Sequence, residues 1–119
     1  MKKGLKILSI ETSCDDTGIA ILEVKNTKNS TEFKVLANKI HTQLIHAGYG
    51  GVFPMMAKRE HGKNMIPTIE SAMKEVKMLK LVKNKKIDEK LNKKIKEALA
   101  RENDLGIVSV EFLNKIKKP

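Results

Sequence analysis

The stretch Ile7–Leu22, ILSIETSCDDTGIAIL, decides the fold. Two short apolar runs, Lys6–Glu11 and Thr17–Val24, flank a turn crowded with acids, hydroxyls and a thiol. Both runs are rich in β-branched residues and too short for independent helices, so they read as strands. Their apolar character on both faces predicts a sheet covered on both sides. Downstream, Lys25–Thr31 is polar and reads as a turn. Glu32–His41 then alternates, which predicts a third strand with Phe33, Val35 and Ala37 on one face. Three strands in succession with short connections make an antiparallel meander.

The turn carries more chemistry than bending a chain requires. Backbone N–H groups there, with the Thr12 and Ser13 hydroxyls, are suited to cradle a phosphate. Asp15 and Asp16 repel phosphate, but they can hold a bridging cation, orient water or accept a proton. The competing reading is a structural turn whose Asp and Thr side chains bond their own backbone. Cys14 lies among acids that disfavour a thiolate, so it reads as a packing or turn residue. Glu11 either faces a ligand or caps the turn.

Beyond the third strand comes HAGYGGVFPMMAKREH, His46–His61. The cluster Gly48, Gly50, Gly51 interrupts regular structure. From Met55 the spacing of Ile66, Ile69, Met73 and Val76 predicts an amphipathic helix, with a kink or restart at Pro67. Ile87, Leu91, Ile95 and Leu99 predict a second helix, starting near Asp88 or Asn84, with Gly106 past its end. Ser109 is a candidate cap for a last short helix carrying Leu113 and Ile116. The spacings of His41, His46 and His61 match no familiar zinc signature. His61, beside Arg59 and just after the glycine loop, suits anion binding or holding a loop in place.

A chain of 119 residues suits one domain or one lobe of a larger one. With 3% aromatic residues its core must be aliphatic and methionine-based. One cysteine excludes an internal disulfide framework. Without a signal peptide or an apolar run of spanning length, a soluble cytoplasmic protein is expected, without membrane partners. The net charge is +10. Residues 1–76 carry 11 basic and 8 acidic groups, residues 77–119 carry 13 and 6. A basic surface attracts polyanions, yet no aromatics or arginines interleave the lysines of residues 78–119 as base readers require. That segment reads as a solvated, lysine-rich helical face.

The two stretches IETSCDDTGIAI and HAGYGGVFPMMAKREH, in this order and at this spacing, resemble the amino-terminal part of the tRNA N6-adenosine threonylcarbamoyltransferase family. This family was formerly called the glycoprotease or O-sialoglycoprotein endopeptidase family. The resemblance covers roughly residues 5–76. It implies an α/β fold: an incomplete ribonuclease-H-like lobe of the actin-like ATPase class, a β-β-β meander followed by helices. Residues 1–77 would form that part of the lobe, and 78–119 a basic helical insertion or connector.

The activity implied is transfer of a threonylcarbamoyl group from an adenylate to N6 of the adenosine adjacent to the anticodon in tRNAs reading ANN codons. In that reading Asp15 and Asp16 are the catalytic candidates, and Thr12, Ser13, Tyr49, Gly50, Gly51, Arg59 and His61 bind substrate or phosphate. Asp16 stands where the family usually has Glu, and Met55 where it usually has Glu after the proline. The family's divalent metal, iron or zinc, is held by a His-x-x-x-His pair and a distant Asp. Neither they nor the family's Gly-Pro-Gly loop occur in this sequence, so no metal ligand is expected in this chain. It is therefore expected to be the amino-terminal piece of a longer enzyme, inactive alone. Its implied partners are tRNA and the proteins of the threonylcarbamoylation complex. The rival readings are a non-catalytic scaffold of the same complex and a plain RNA-binding module.

Overall fold

The computed structural model describes residues 4–82 and 86–116. Asn84, the alternative helix start, lies outside the described residues, as do Met1–Lys3 and the terminal Lys-Lys-Pro. The elements are strands β1 (Leu5–Glu11), β2 (Asp16–Asn26) and β3 (Thr31–Thr42), a 3-10 helix (Leu44–Tyr49), and helices α1 (Pro54–Glu75), α2 (Glu89–Ala98) and α3 (Asn103–Lys115).

The strands form an antiparallel meander in the order β1-β2-β3, as the alternation and short turns predict. The β2–β3 turn is closed by Thr27, whose N–H and hydroxyl both donate to the Ser30 carbonyl, at 2.8 and 3.0 Å. Cross-strand partners share a face of the sheet. Leu8 and Ile10 pair with Ile21 and Ile19, which pair in turn with Ala37 and Lys39. That face receives α1. Ile19, Ile21 and Ala37 are buried against Ile69 and Ala72, with Leu36, Met65, Ile66, Met73 and Val76 packed around them. The core is aliphatic and methionine-based, as composition requires, and α1 presents the predicted apolar stripe to it.

One expectation about the sheet fails. Phe33, Val35 and Ala37 do not share a face. A β-bulge opposite Ile21 and Leu22 inserts Leu36 as an extra residue, so Ala37 pairs on the α1 side while Val35 and Phe33 pair with Leu22 and Val24 on the other. The described residues cover one side of the sheet. Among the described residues, α1 packs on β2 and β3, α3 on α1 and α2 on α3, leaving the face opposite α1 without a cover.

The helices also differ in their limits. α1 begins with Pro54 at its first turn and runs unbroken through Pro67 to Glu75. A single proline removes one N–H, and here packing on the sheet carries the helix past it. Left-handed Lys77 (φ 56°) closes it, and the Met78 N–H returns to the Met73 carbonyl at 3.0 Å. Asp88 caps α2 by accepting the Leu91 N–H at 2.7 Å. α2 stops at Ala98, and Gly106 and Ser109 both lie inside α3, whose cap position is Glu102. The early start of α3 lets Leu105 sit over Gly62 of α1, where an added Cβ would lie 3.9 Å from the Leu105 Cβ. Glu70 of α1 then binds the Lys115 ammonium of α3 at 2.9 Å.

Candidate functional site

The β1–β2 turn, Thr12–Asp15, is built by its own side chains and backbone. The Ser13 N–H donates to Glu11 Oε1 at 2.7 Å, and the Asp16 N–H to the Ser13 carbonyl at 3.2 Å. Glu11 therefore caps the turn. The Ser13 hydroxyl and backbone N–H hold the Glu11 carboxyl below its ordinary pKa. Cys14 takes a left-handed conformation, φ 47°, which a side-chain-bearing residue adopts at a cost. Two turn donors are thus engaged internally, and the expected cradle of converging N–H groups is not open in that form.

His61 clamps this turn to α1. Its Nδ1 lies 2.8 Å from the Thr17 hydroxyl and its Nε2 2.9 Å from the Cys14 carbonyl. A carbonyl only accepts, so Nε2 carries a proton; in the neutral ring Nδ1 accepts from Thr17. Thr17 is fully buried, so the pairing satisfies a hydroxyl that water cannot reach. Of the two roles open to His61 in the sequence, its observed contacts are those of a loop holder.

A second set of contacts fixes the glycine loop. The Gln43 N–H donates to the Asp15 carbonyl at 2.8 Å, and the Gln43 Nε2 to the Ala57 carbonyl in α1 at 3.2 Å. The buried His46 bonds Gln43 Oε1 through Nε2 at 2.6 Å and accepts the Phe53 N–H on Nδ1 at 3.1 Å. These partners fix its tautomer, with the proton on Nε2. Gln43 thus ties the acidic turn, the 3-10 helix and α1 together. Sequence reasoning missed it, because a glutamine among apolar residues carries no motif. Its burial is the only signal, and that is a property of the fold.

The clamps leave a groove of about 650 Å³, lined by Thr12 and Cys14 of the turn, Val52 and Pro54 after the glycine loop, and Ala57, Lys58 and His61 of α1. Leu105 and Glu102 close its far side, with Glu102 paired to Lys58 at 2.9 Å. The predicted site residues distribute unevenly around it. Thr12 and His61 line the groove. Ser13 and Asp15 belong to the same turn but do not line the groove, the first exposed and the second half-buried. Tyr49, Gly50 and Gly51 form the exposed end of the 3-10 helix, with left-handed Gly50 as its cap and the Tyr49 ring edge-on to Phe53. Arg59 opens instead into a separate groove between α1 and α3, beside Met55 and Asp104. Asp16 lines a shallow groove with Ser9, Glu11, Asn38 and Ile40, on the face of the sheet away from α1. Its Oδ1 is shielded from solvent and has no hydrogen-bond partner among the described residues. Asp16 therefore lies on a different surface from the groove beside His61.

Among the described residues no three His, Cys, Asp or Glu side chains gather in a way that could hold a metal ion. No helix among them is long and apolar enough to cross a membrane.

A family model of the tRNA N6-adenosine threonylcarbamoyltransferases matches residues 34–89. The match takes in most of β3, the glycine loop and all of α1, and ends on the first residue of α2. The β1–β2 turn precedes it. The three-stranded antiparallel sheet followed by helices is the arrangement of an incomplete amino-terminal lobe of that fold. Through these residues, with the glycine loop and its helix at their centre, the chain is similar to the tRNA N6-adenosine threonylcarbamoyltransferases, consistent with a fragment of that family.

Proposed function

We propose that this chain supplies one wall of the adenylate cleft of a transferase that moves a threonylcarbamoyl group from its adenylate to N6 of an adenosine in tRNA. One observation carries the reading. Two motifs about forty residues apart, the acidic turn and the loop after the glycines, line a single groove through Thr12, Cys14, Val52 and Pro54. The groove's apolar wall, Val52, Pro54 and Met65, suits a nucleoside or the threonyl methyl group. Lys58 supplies a cation for a phosphate or carboxylate once it leaves Glu102. In this reading Asp15 handles the proton lost by the attacking amine, and Ser13 and Thr12 orient the transferred group by hydrogen bonds. The amine attacks the carbamoyl carbon, the bond to the adenylate oxygen breaks, and AMP leaves. Asp16 addresses the opposite surface of the sheet and is the weaker candidate for that proton. Any divalent metal would be held by residues outside those described, and protein partners of the complex would complete the cleft.

The test is a nuclear magnetic resonance titration of the isotopically labelled chain with AMP, joined to nucleoside analysis of tRNA incubated with the adenylate donor. The reading expects amide shifts clustered on Thr12, Cys14, Val52, Ala57 and His61, with no transfer by the 119 residues alone. Shifts clustered elsewhere, or absent at millimolar AMP, sink it. Modified adenosine formed by the chain alone would overturn the view that it is one wall.

A further inference from the structure

The chain has 22 lysines but only two arginines, Arg59 and Arg101. Arg59 lies on α1, and Arg101 just before α3. Both line one groove of about 290 Å³, together with Lys58, Glu102 and Asp104. Glu102 is engaged by Lys58 at 2.9 Å. Two guanidinium groups therefore face one further carboxylate, Asp104, and among the described residues neither arginine has an ion pair or hydrogen bond. Elsewhere Lys25, Lys39 and Lys115 each hold a carboxylate. Positive charge alone is as well supplied by lysine. A guanidinium adds a planar fork of donors that grips phosphate oxygens in pairs, so both arginines in one groove point to a phosphate group.

We propose that this groove seats a backbone phosphodiester of the RNA substrate, gripped by Arg59 from α1 and by Arg101 from the α3 side. This inference rests on the transfer reaction proposed above, in which N6 of an adenosine must reach the groove beside His61. The two grooves adjoin, since Lys58, Gly62, Glu102 and Leu105 line both. A polynucleotide that delivers its base to the first must lay its backbone on an adjoining surface. The arginine groove is such a surface, and it carries uncompensated positive charge. Met55, 73% exposed in the same groove, offers an apolar shelf for a ribose.

Fluorescence anisotropy of a labelled, unmodified tRNA transcript with the 119-residue chain, at salt from about 50 to 300 mM, tests this. Arg59→Gln combined with Arg101→Gln is expected to weaken binding at least about tenfold and to flatten the log–log salt slope by about 1. Both side chains are exposed, so circular dichroism should be unchanged. Lys28→Gln with Lys34→Gln removes the same charge at the β2–β3 end of the sheet, and is expected to cost less than about threefold. Equal weakening by the two double variants means diffuse attraction and overturns the proposal. A wild-type chain that leaves tRNA unbound at about 50 mM salt overturns it as well. Inorganic phosphate that shifts the arginine side-chain N–H resonances, while the arginine variant binds tRNA normally, assigns the groove to a free anion and overturns it too. AMP shifts at Thr12 and His61 are expected to persist in the arginine variant. Their absence from the wild type would sink the adenylate reading alone, and the tRNA comparison decides this one.

Discussion

Replacing His61 by alanine removes both contacts that hold the β1–β2 turn against α1. The larger loss is at Thr17, whose hydroxyl is inaccessible to water and would keep no partner. A buried polar group left unsatisfied costs about 1–3 kcal/mol. The Cys14 carbonyl sits on an exposed turn and can turn to water, so its lost bond is worth about 0.5–1.5 kcal/mol. Together the substitution should destabilise the chain by about 2–4 kcal/mol, a large share of the stability usual at this length. At about 4 °C per kcal/mol, the melting temperature should fall by roughly 8–16 °C. Urea denaturation followed by far-ultraviolet circular dichroism measures the free energy. A double-mutant cycle with Thr17→Val isolates the pair, because valine keeps the shape of threonine without its hydroxyl. The Thr17–His61 bond predicts a coupling energy of about 1 kcal/mol or more. Alkylation of Cys14 should be faster in His61→Ala, since the turn then moves freely. Additivity of the two substitutions to within about 0.5 kcal/mol would refute the clamp, whatever the single variants do.

Three further expectations concern charge and backbone. Because the native Glu11 pKa is depressed, its capping bond stabilises fully above the ordinary glutamate range and is lost as pH falls through the native value. The melting-temperature difference between wild type and Glu11→Gln should therefore shrink toward zero in acid and be constant near neutrality. Glu70→Gln should weaken the α1–α3 contact by about 1 kcal/mol. Burial raises the Glu70 pKa, but Lys115 and Lys74 overcome that and hold it low. Hydrogen exchange should accelerate in Asn103–Lys115 ahead of the strands, and the effect should be smaller in high salt. Pro67→Ala should raise stability by about 1 kcal/mol, because α1 is already helical there and regains a backbone bond to the Lys63 carbonyl. A fall in melting temperature would show that the ring is needed for packing.

The strands and α1 were legible because their signals are local: β-branched runs between polar turns, and an apolar stripe at helical spacing. The Leu36 bulge was not, since an inserted residue leaves the alternation on each side intact and only reverses which side is which. That one residue sends Phe33 and Val35 away from α1. The limits of α2 and α3 were misread for a related reason. Gly106 and Ser109 have the composition of helix ends, but Leu105 docking on Gly62 draws both into α3. The turn and the glycine loop stood out by composition, while their convergence on one groove needed contacts between residues 44 and 47 positions apart. Arg59 looked like a neighbour of His61 in the chain, yet two residues along a helix turn it toward α3.

α2 buries no residue and touches only α3 among the described elements, while α3 packs on α1 and holds the connector through the Lys115 carbonyl and the Asn114 side chain, which accept from the Val82 and Ile87 N–H groups. Cooperative opening therefore has a built-in order. The arm from Glu89 onward can detach while Ile19, Ile21, Ala37, Ile69 and Ala72 keep their mutual contacts. Limited digestion should thus cut first near Leu99–Glu102 and leave a resistant product of sheet and α1. Any cellular protease acting on this chain would trim the arm long before it reached the turn that His61 holds.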